Sequence, residues 1–213
     1  MLHRIPPETL QAHLDSLLPA RPPGVLEMER IGAERDFPII GPQCGAVCYL
    51  AAKLMGARRV FELGSGFGYS AYWFASAVKE NGGGEVHHTE YDEGMSRDAR
   101  ARLKALGLAG VMRFHVGDGM NALRRARGPF DIVFCDIEKE DYPAAVPVAA
   151  KKLRHGGVFV LDNMLWDGRI FDEKDEKAST KGIREATRLI REDPSWVVTL
   201  LPLRDGMMLA MKR

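Results

Sequence analysis

Glu62-Leu63-Gly64-Ser65-Gly66-Phe67-Gly68-Tyr69-Ser70 follows the β-branched and aromatic run Arg59-Val60-Phe61 and opens a stretch with helical apolar spacing. A glycine-rich turn between a strand and a helix lets main chain approach a ligand at the helix N-terminus. The spacing then narrows the ligand. A dinucleotide fingerprint has the form GxGxxG, but here the third glycine arrives one residue early, at Gly68, and Tyr69 stands in its place. Glu62 also sets a carboxylate where a diphosphate would be repelled. A cationic ligand that carries an amino group and no phosphate suits that acid better.

Outward from the turn, short strand-like runs alternate with amphipathic segments: RVFEL from Arg59, EVHHTE from Glu85, MRFHV from Met112, FDIVFCD from Phe130 and VFVLD from Val158. That alternation predicts parallel strands with crossover helices. FDIVFCD and VFVLD are nearly continuous apolar runs ending in an acid, as expected of central strands covered on both faces. A polar stretch, Asn163 to Lys181, precedes a helix from about Ile183 to Glu192. WVVTLLPL and MMLAMK then read as two closing strands joined at Arg204-Asp205-Gly206. The expected fold is α/β: a Rossmann-like, doubly wound, mostly parallel seven-stranded sheet with a C-terminal antiparallel hairpin and helices on both faces. One domain is expected over residues 1–213, with a proline-rich helical segment, 1–40, packed on it.

Composition supports this reading. The chain has 213 residues, 46% hydrophobic and 28% charged, enough for a sizeable core. With 30 Lys and Arg against 29 Asp and Glu, the net charge of +1 supplies no broad attraction for nucleic acid or anionic membrane. The short basic clusters RARLK near Arg100 and LRRAR near Arg124 read as solvated helix faces, so RNA is not the favoured partner. Cys44, Cys48 and Cys135 sit among apolar neighbours without metal spacing and read as small hydrophobes in a reducing compartment. Pro, His and Asp interrupt any signal-peptide core near the N-terminus, and no later run is apolar enough for a bilayer; no membrane contact and cytoplasmic residence are expected. His87 and His88 alternate across a strand and so are poor partners for one metal.

Parallel strands expose their carboxyl ends on one crevice, where ligands bind. Glu90 closes the second strand and is placed to grip two ribose hydroxyls; Asp118 and Gly119 follow the third and border a base. Asp136 ends the fourth, and Asp162 and Asn163 end the fifth. Adjacent strands lie about 4.8 Å apart, so these acids meet beside the glycine turn. Two carboxylates and an amide oxygen are hard ligands, too few to enclose a magnesium-like ion and therefore leaving room for water and substrate. A phenolic hydroxyl ionises near pH 10, and a bound divalent cation makes it a nucleophile near neutrality. Lys139, beside that ion, could then receive the proton.

ELGSGFGYSA, TEYDEG and VGDGMNAL, together with CDIEKEDY and LDNMLWDG, resemble the cation-dependent O-methyltransferases, the family that includes catechol and caffeoyl-coenzyme A methyltransferases and many bacterial relatives. The resemblance runs from about Pro38 to the C-terminus. It implies S-adenosylmethionine (SAM) as methyl donor, with Glu62, Gly64, Ser65, Gly66, Ser70, Glu90, Asp118, Gly119 and Asp136 around it and the main chain near Ile40 closing over it. It implies a divalent cation, Mg2+ first and Mn2+ or Ca2+ as alternatives, on Asp136, Asp162 and Asn163, and Lys139 as base. Trp166, Asp167 and Asp205 would line the acceptor, although Asp stands at 167 where Asn is usual and Arg204 replaces a small residue. The stretch from Phe171 to Ile183 is shorter than the plant insertion associated with a coenzyme A ester. The implied acceptor is a small catechol-like phenol; a 5-hydroxyuridine in transfer RNA is the alternative within the family, and a nicotinamide-dependent oxidoreductase the alternative outside it. The resemblance also implies a homodimer.

Overall fold

The structure, a computed structural model, describes residues 7–213. Of the segment expected over 1–40, residues 1–6 lie outside the described part; the rest forms α1 (Pro7–Ser16) and α2 (Pro23–Glu34) and leads into α3 (Gly41–Leu54). From there β1 (Arg59–Leu63), α4 (Tyr69–Glu80), β2 (Glu85–Glu90), α5 (Glu93–Ala105), β3 (Met112–Val116), α6 (Gly119–Arg125), β4 (Phe130–Cys135), α7 (Tyr142–Lys152) and β5 (Leu153–Leu161) alternate. They are followed by α8 (Ala178–Glu192), β6 (Trp196–Leu201) and β7 (Met207–Lys212). The sheet order is β3-β2-β1-β4-β5-β7-β6, with β7 antiparallel to both its neighbours. The other neighbouring pairs are parallel.

Side-chain alternation along the central strands builds two cores. Val60, Ile132, Phe134 and Val160 face α2 to α5, meeting Met28, Cys44, Phe74 and Leu103. Phe61, Val133, Cys135, Phe159 and Leu161 face α6 to α8, meeting Leu123, Ala145, Ile183 and Ile190. These strands are apolar at every position because both faces are covered. Full burial of a side chain such as Phe134 contributes about 1.5–3 kcal/mol. The three cysteines are free and buried in these cores, in keeping with a filler role.

The chain passes from β1 to β2 and β3 on one side, then returns to place β4 on the other side of β1. That reversal opens a crevice at the carboxyl ends of β1 and β4, the place where doubly wound sheets bind ligands.

Two features differ from the sequence expectation. The last helix begins at Ala178, about one turn before Ile183, because its first turn is polar and carries no apolar periodicity. The charged run Asp172–Lys177, expected to be a solvated mobile loop, is tied down: Arg169 pairs with Asp175 at 2.7 Å, and Arg184 donates to the main-chain oxygens of Arg169, Ile170, Asp172 and Asp175. No described helix is long and apolar enough to cross a membrane.

Candidate functional site

The glycine turn is held by a residue of the TEYDEG segment to which the sequence reading gave no role. Thr89, one position before Glu90, donates its hydroxyl to the Glu62 carbonyl at 2.8 Å and accepts the Gly64 N–H at 3.2 Å. Its own N–H reaches Ser65 Oγ at 3.2 Å, and its carbonyl accepts the Ser65 N–H at 2.9 Å. A side chain at Gly119 would sit 2.6 Å from Thr89 Oγ1, so the small residue there lets α6 close on the same threonine. His88, read as filler, has Nε2 3.1 Å from the Gly66 carbonyl; burial lowers its pKa to about 4, so the neutral ring donates to the turn. Gly64 adopts φ +75°, and a Cβ there would drive into the Asp136 carbonyl oxygen. The turn thus presses directly on the exit of β4.

At the centre of the turn lies Glu62, fully buried. Ser65 Oγ donates to its Oε2 at 3.0 Å, whereas Oε1 is buried with no hydrogen-bond partner. Burial raises its pKa to about 8 against the opposing pull of the Ser70 and Ser65 hydroxyls, and the charge on Asp136 raises it further. A buried carboxylate with an open oxygen calls for a cationic donor group. The ammonium of an amino-acid-like ligand meets that need, so the residues present fit SAM.

The other expected donor contacts are spread along the crevice. Glu90 uses one oxygen on the Asp92 N–H at 3.0 Å, and Asp118 caps α6 by accepting the Asn121 N–H at 2.7 Å. Ile40 is buried in the core as the residue just before α3. Asp118 also borders a cavity of about 350 Å³ between β3 and α6, shared with His115 and Arg125.

On the far side of the turn the strand exits are stitched together: Asp136 N–H donates to the Leu63 carbonyl at 2.8 Å and Asp162 N–H to the Cys135 carbonyl at 3.1 Å. Lys139 is not a solvated surface lysine. It is buried, and its ammonium donates to Asp136 Oδ1 at 2.7 Å, the Ile137 carbonyl at 3.1 Å and Tyr142 Oη at 3.0 Å. Tyr142 in turn lies within reach of the Cys135 and Asp162 carbonyls, at 3.2 and 3.1 Å. From the opposite side Gly182 lets α8 press against the Lys139 carbonyl. Tyr142 and Gly182 thereby fix the lysine, although neither carried a role in the sequence reading.

Asp162 is buried, and burial followed by the Asp136 charge pushes its carboxyl well above the ordinary range. Asn163 follows at φ +56°, its amide nitrogen 3.3 Å from Asp205 Oδ2, which turns the amide oxygen the other way. Among the described residues no three His, Cys, Asp or Glu side chains cluster as a metal site. The set here is two mutually repelling carboxylates and one amide, and that donor chemistry fits a hard divalent cation with open positions.

Asp205, expected to touch the acceptor, uses both oxygens on the neighbouring loop: Oδ2 on Asn163, and Oδ1 on the Asp167 N–H at 2.6 Å. Its carbonyl also accepts the Leu165 N–H at 2.8 Å. Trp166 and Asp167 hold left-handed backbone, φ +51° and +52°. The Trp166 ring centroid lies 5.8 Å from the Lys139 ammonium and 5.4 Å from the Arg169 guanidinium. The structure therefore brings Asp136, Lys139, Asp162, Asn163, Trp166 and Asp205 together, with Asp167 exposed at the rim.

Comparison with known proteins follows the same lines. A family model described as O-methyltransferase matches residues 30–213. Catechol O-methyltransferase of Niastella koreensis is 28% identical over 215 residues, covering 96% of each chain. Among solved structures, the O-methyltransferase TomG of Streptomyces achromogenes, involved in tomaymycin synthesis and bound to SAM, is 28% identical over 95% of each chain, with a TM-score of 0.86. An O-methyltransferase of Bacillus cereus in complex with SAH (S-adenosylhomocysteine) is 26% identical, covering 96% of this chain and 97% of that one, with a TM-score of 0.87.

Proposed function

The chain belongs to the O-methyltransferase family and is a SAM-dependent enzyme, and from that premise we propose that it methylates one hydroxyl of a small catechol held on a divalent cation. The nicotinamide oxidoreductase reading is thereby set aside. The single observation that carries the proposal is the pair Asp136 and Asp162, two carboxylates that repel each other at adjacent strand exits beside the donor turn. The Niastella relative named as a catechol methyltransferase supports the acceptor class. Residence in the cytoplasm, expected from the sequence, and a homodimer, implied by resemblance, complete the proposal; light scattering of the purified protein checks the second.

Glu62 holds the amino group of SAM, Ser65 and Ser70 orient Glu62, and Glu90 reaches the ribose. Asp136, Asp162 and Asn163 would hold the cation, Mg2+ first, which supplies charge that lowers the pKa of the acceptor hydroxyl. With Asp136 turned to the cation, Lys139 loses its ion-pair partner, gives up a proton to solvent and, as the neutral amine, takes the acceptor hydroxyl proton. The acceptor oxygen then attacks the sulfonium methyl, the carbon–sulfur bond breaks, and SAH leaves as a neutral thioether. Alignment contributes most of the remaining acceleration. An assay with labelled SAM tests the proposal: label should enter catechols and not transfer RNA that carries unmethylated 5-hydroxyuridine, and label in that RNA alone would overturn the acceptor class.

Two further outcomes follow from this assignment. Replacing Lys139 by methionine should lower kcat by about 10²–10⁴-fold, the usual range for a lost general base, while SAM binding by calorimetry stays within about twofold. A rate that is unchanged at pH 7 would make Lys139 a structural residue only.

Glu62 sets a pH dependence. Its folded pKa, about 8, is raised above the ordinary value of 4.5, so the stability it contributes is full below pH 4.5 and is lost as pH rises through 8. The ligand-free protein should therefore lose a few kcal/mol across that window, since each tenfold difference in proton affinity between folded and unfolded chain is worth about 1.4 kcal/mol. Glu62→Gln should flatten the profile. SAM should bind more tightly as pH rises toward 8, and about 10- to 100-fold more weakly to Glu62→Gln. Equal profiles for the two proteins would remove Glu62 from the donor site.

A further inference from the structure

Arg184, on the second turn of α8, directs its whole guanidinium at main chain. Its Nη1 donates to the Asp175 carbonyl at 2.9 Å, its Nε to the Ile170 carbonyl at 3.1 Å, and its Nη2 to the Arg169 carbonyl at 3.2 Å and to the Asp172 carbonyl. None of these acceptors is a carboxylate. They belong to a segment, 166–175, with neither strand nor α-helix to occupy its carbonyls. Arg169 is tied a second time, by its Nε to Asp175 Oδ2 at 2.7 Å, and its guanidinium lies against the Trp166 ring. Trp166 and Asp167 hold left-handed backbone, which persists in residues with side chains only where the surroundings enforce it. Asp205 enforces it from one end, by accepting the Asp167 N–H, and Arg184 from the other.

α8 touches the site at a second point. Two residues before Arg184, Gly182 lies so close to the Lys139 carbonyl that a Cβ there would collide with the oxygen. Ile183, Ala186 and Ile190 anchor the same helix in the core. One anchored helix therefore holds the main chain of the base at Gly182 and the segment bearing Trp166 at Arg184. The 5.8 Å between the Lys139 ammonium and the Trp166 ring centroid rests on α8 from both sides.

We propose that Arg184 is a positioning residue for methyl transfer: by holding the carbonyls of 169–175 it fixes the Trp166 ring against Lys139 and so decides which of two adjacent acceptor hydroxyls meets the methyl group. This rests on the catechol reading above. The two hydroxyls of a catechol are chemically much alike, so the choice between them depends on how the ring is held. Displacing a positioning group by about 1 Å can change a rate about 100-fold, and a wall free to move loses the preference. Arg184 touches no reacting atom and stays charged at any working pH, so it acts on orientation and not on ionisation.

The test uses 3,4-dihydroxybenzaldehyde, whose two hydroxyls give distinguishable monomethyl ethers, with SAM and Mg2+. The wild type should form one ether over the other by about tenfold or more. Arg184→Met keeps the aliphatic stem and removes the donors. It should bring the ratio to within about twofold of one, while SAM binding by calorimetry stays within about twofold and the pH profile of the rate keeps its midpoint. Arg184→Lys retains a single point of donation and should keep part of the preference. Trypsin should cut after Lys174 and Lys177 about tenfold faster in Arg184→Met, because the segment opens locally. Arg188, exposed on the same helix and paired with Glu185 and Glu192, is the control: Arg188→Met should leave both ratio and cleavage as in the wild type. An unchanged ratio in Arg184→Met or, where that variant does not fold, in Arg184→Lys overturns the role of Arg184 while the catechol reading stands, as do equal amounts of the two ethers from the wild type. A wild type that methylates no catechol overturns both.

Discussion

Asp162→Ala is expected to lower turnover about a thousandfold, because losing one of two carboxylate ligands removes several kcal/mol of charge stabilisation at the acceptor oxygen. The same change should make the ligand-free protein more stable. Asp162 is buried, its charged form is disfavoured by burial and by Asp136, and removing one of two repelling acids relieves that cost. Asp162→Asn keeps the side-chain shape and should show both effects with less risk of a cavity. Chemical denaturation and steady-state kinetics on the two variants give the answer. A less stable, inactive protein would mean that Asp162 is a structural residue; a fully active one would remove it from the chemistry.

The second large effect concerns the donor turn. Gly64→Ala should destabilise the protein by about 3 kcal/mol or more, since the added methyl meets main chain that cannot swing away, the Asp136 carbonyl, and φ +75° disfavours alanine independently. Gly66→Ala is the contrast: its methyl would meet the Phe37 ring, 2.9 Å away, a side chain able to rotate. The expected order of melting temperatures is wild type, then Gly66→Ala, then Gly64→Ala. SAM binding should suffer most in the last, because β1 and β4 exits move apart. Equal melting temperatures for the two variants would show that the turn does not rest on β4.

These two cases mark what the sequence could and could not disclose. The parallel order of strands was legible because central strands are apolar at every position, and their terminal acids stand where the apolar run stops. The glycines of the turn were legible as a motif, but the reason for Gly64 was not: its neighbour is the carbonyl of Asp136, far along the chain. The parts played by Thr89 and Tyr142, which stand in the segments TEYDEG and CDIEKEDY, and by Gly182 were illegible for a related reason. A threonine in a strand, a tyrosine opening a helix and a glycine inside one are common, and only the meeting of β1, β2, β4 and α8 gives them partners. Polar segments were read least well. The first turn of α8 and the charged run before it are ordered by Arg184 bonding to carbonyls, which leaves no mark in apolar spacing. Asp205, expected at the acceptor, has both its oxygens on the 163–167 loop, a pairing no local pattern discloses.

Methyl transfer from SAM to an oxygen that a cation on Asp136, Asp162 and Asn163 prepares is tested most directly by the rate of catechol methylation at about pH 7.5 in excess chelator, followed by back-titration with Mg2+. Chelator is expected to abolish methylation, and Mg2+ to restore it in wild type but not in Asp162→Asn, while SAM still binds throughout. Undiminished methylation in chelator would contradict a metal-prepared acceptor.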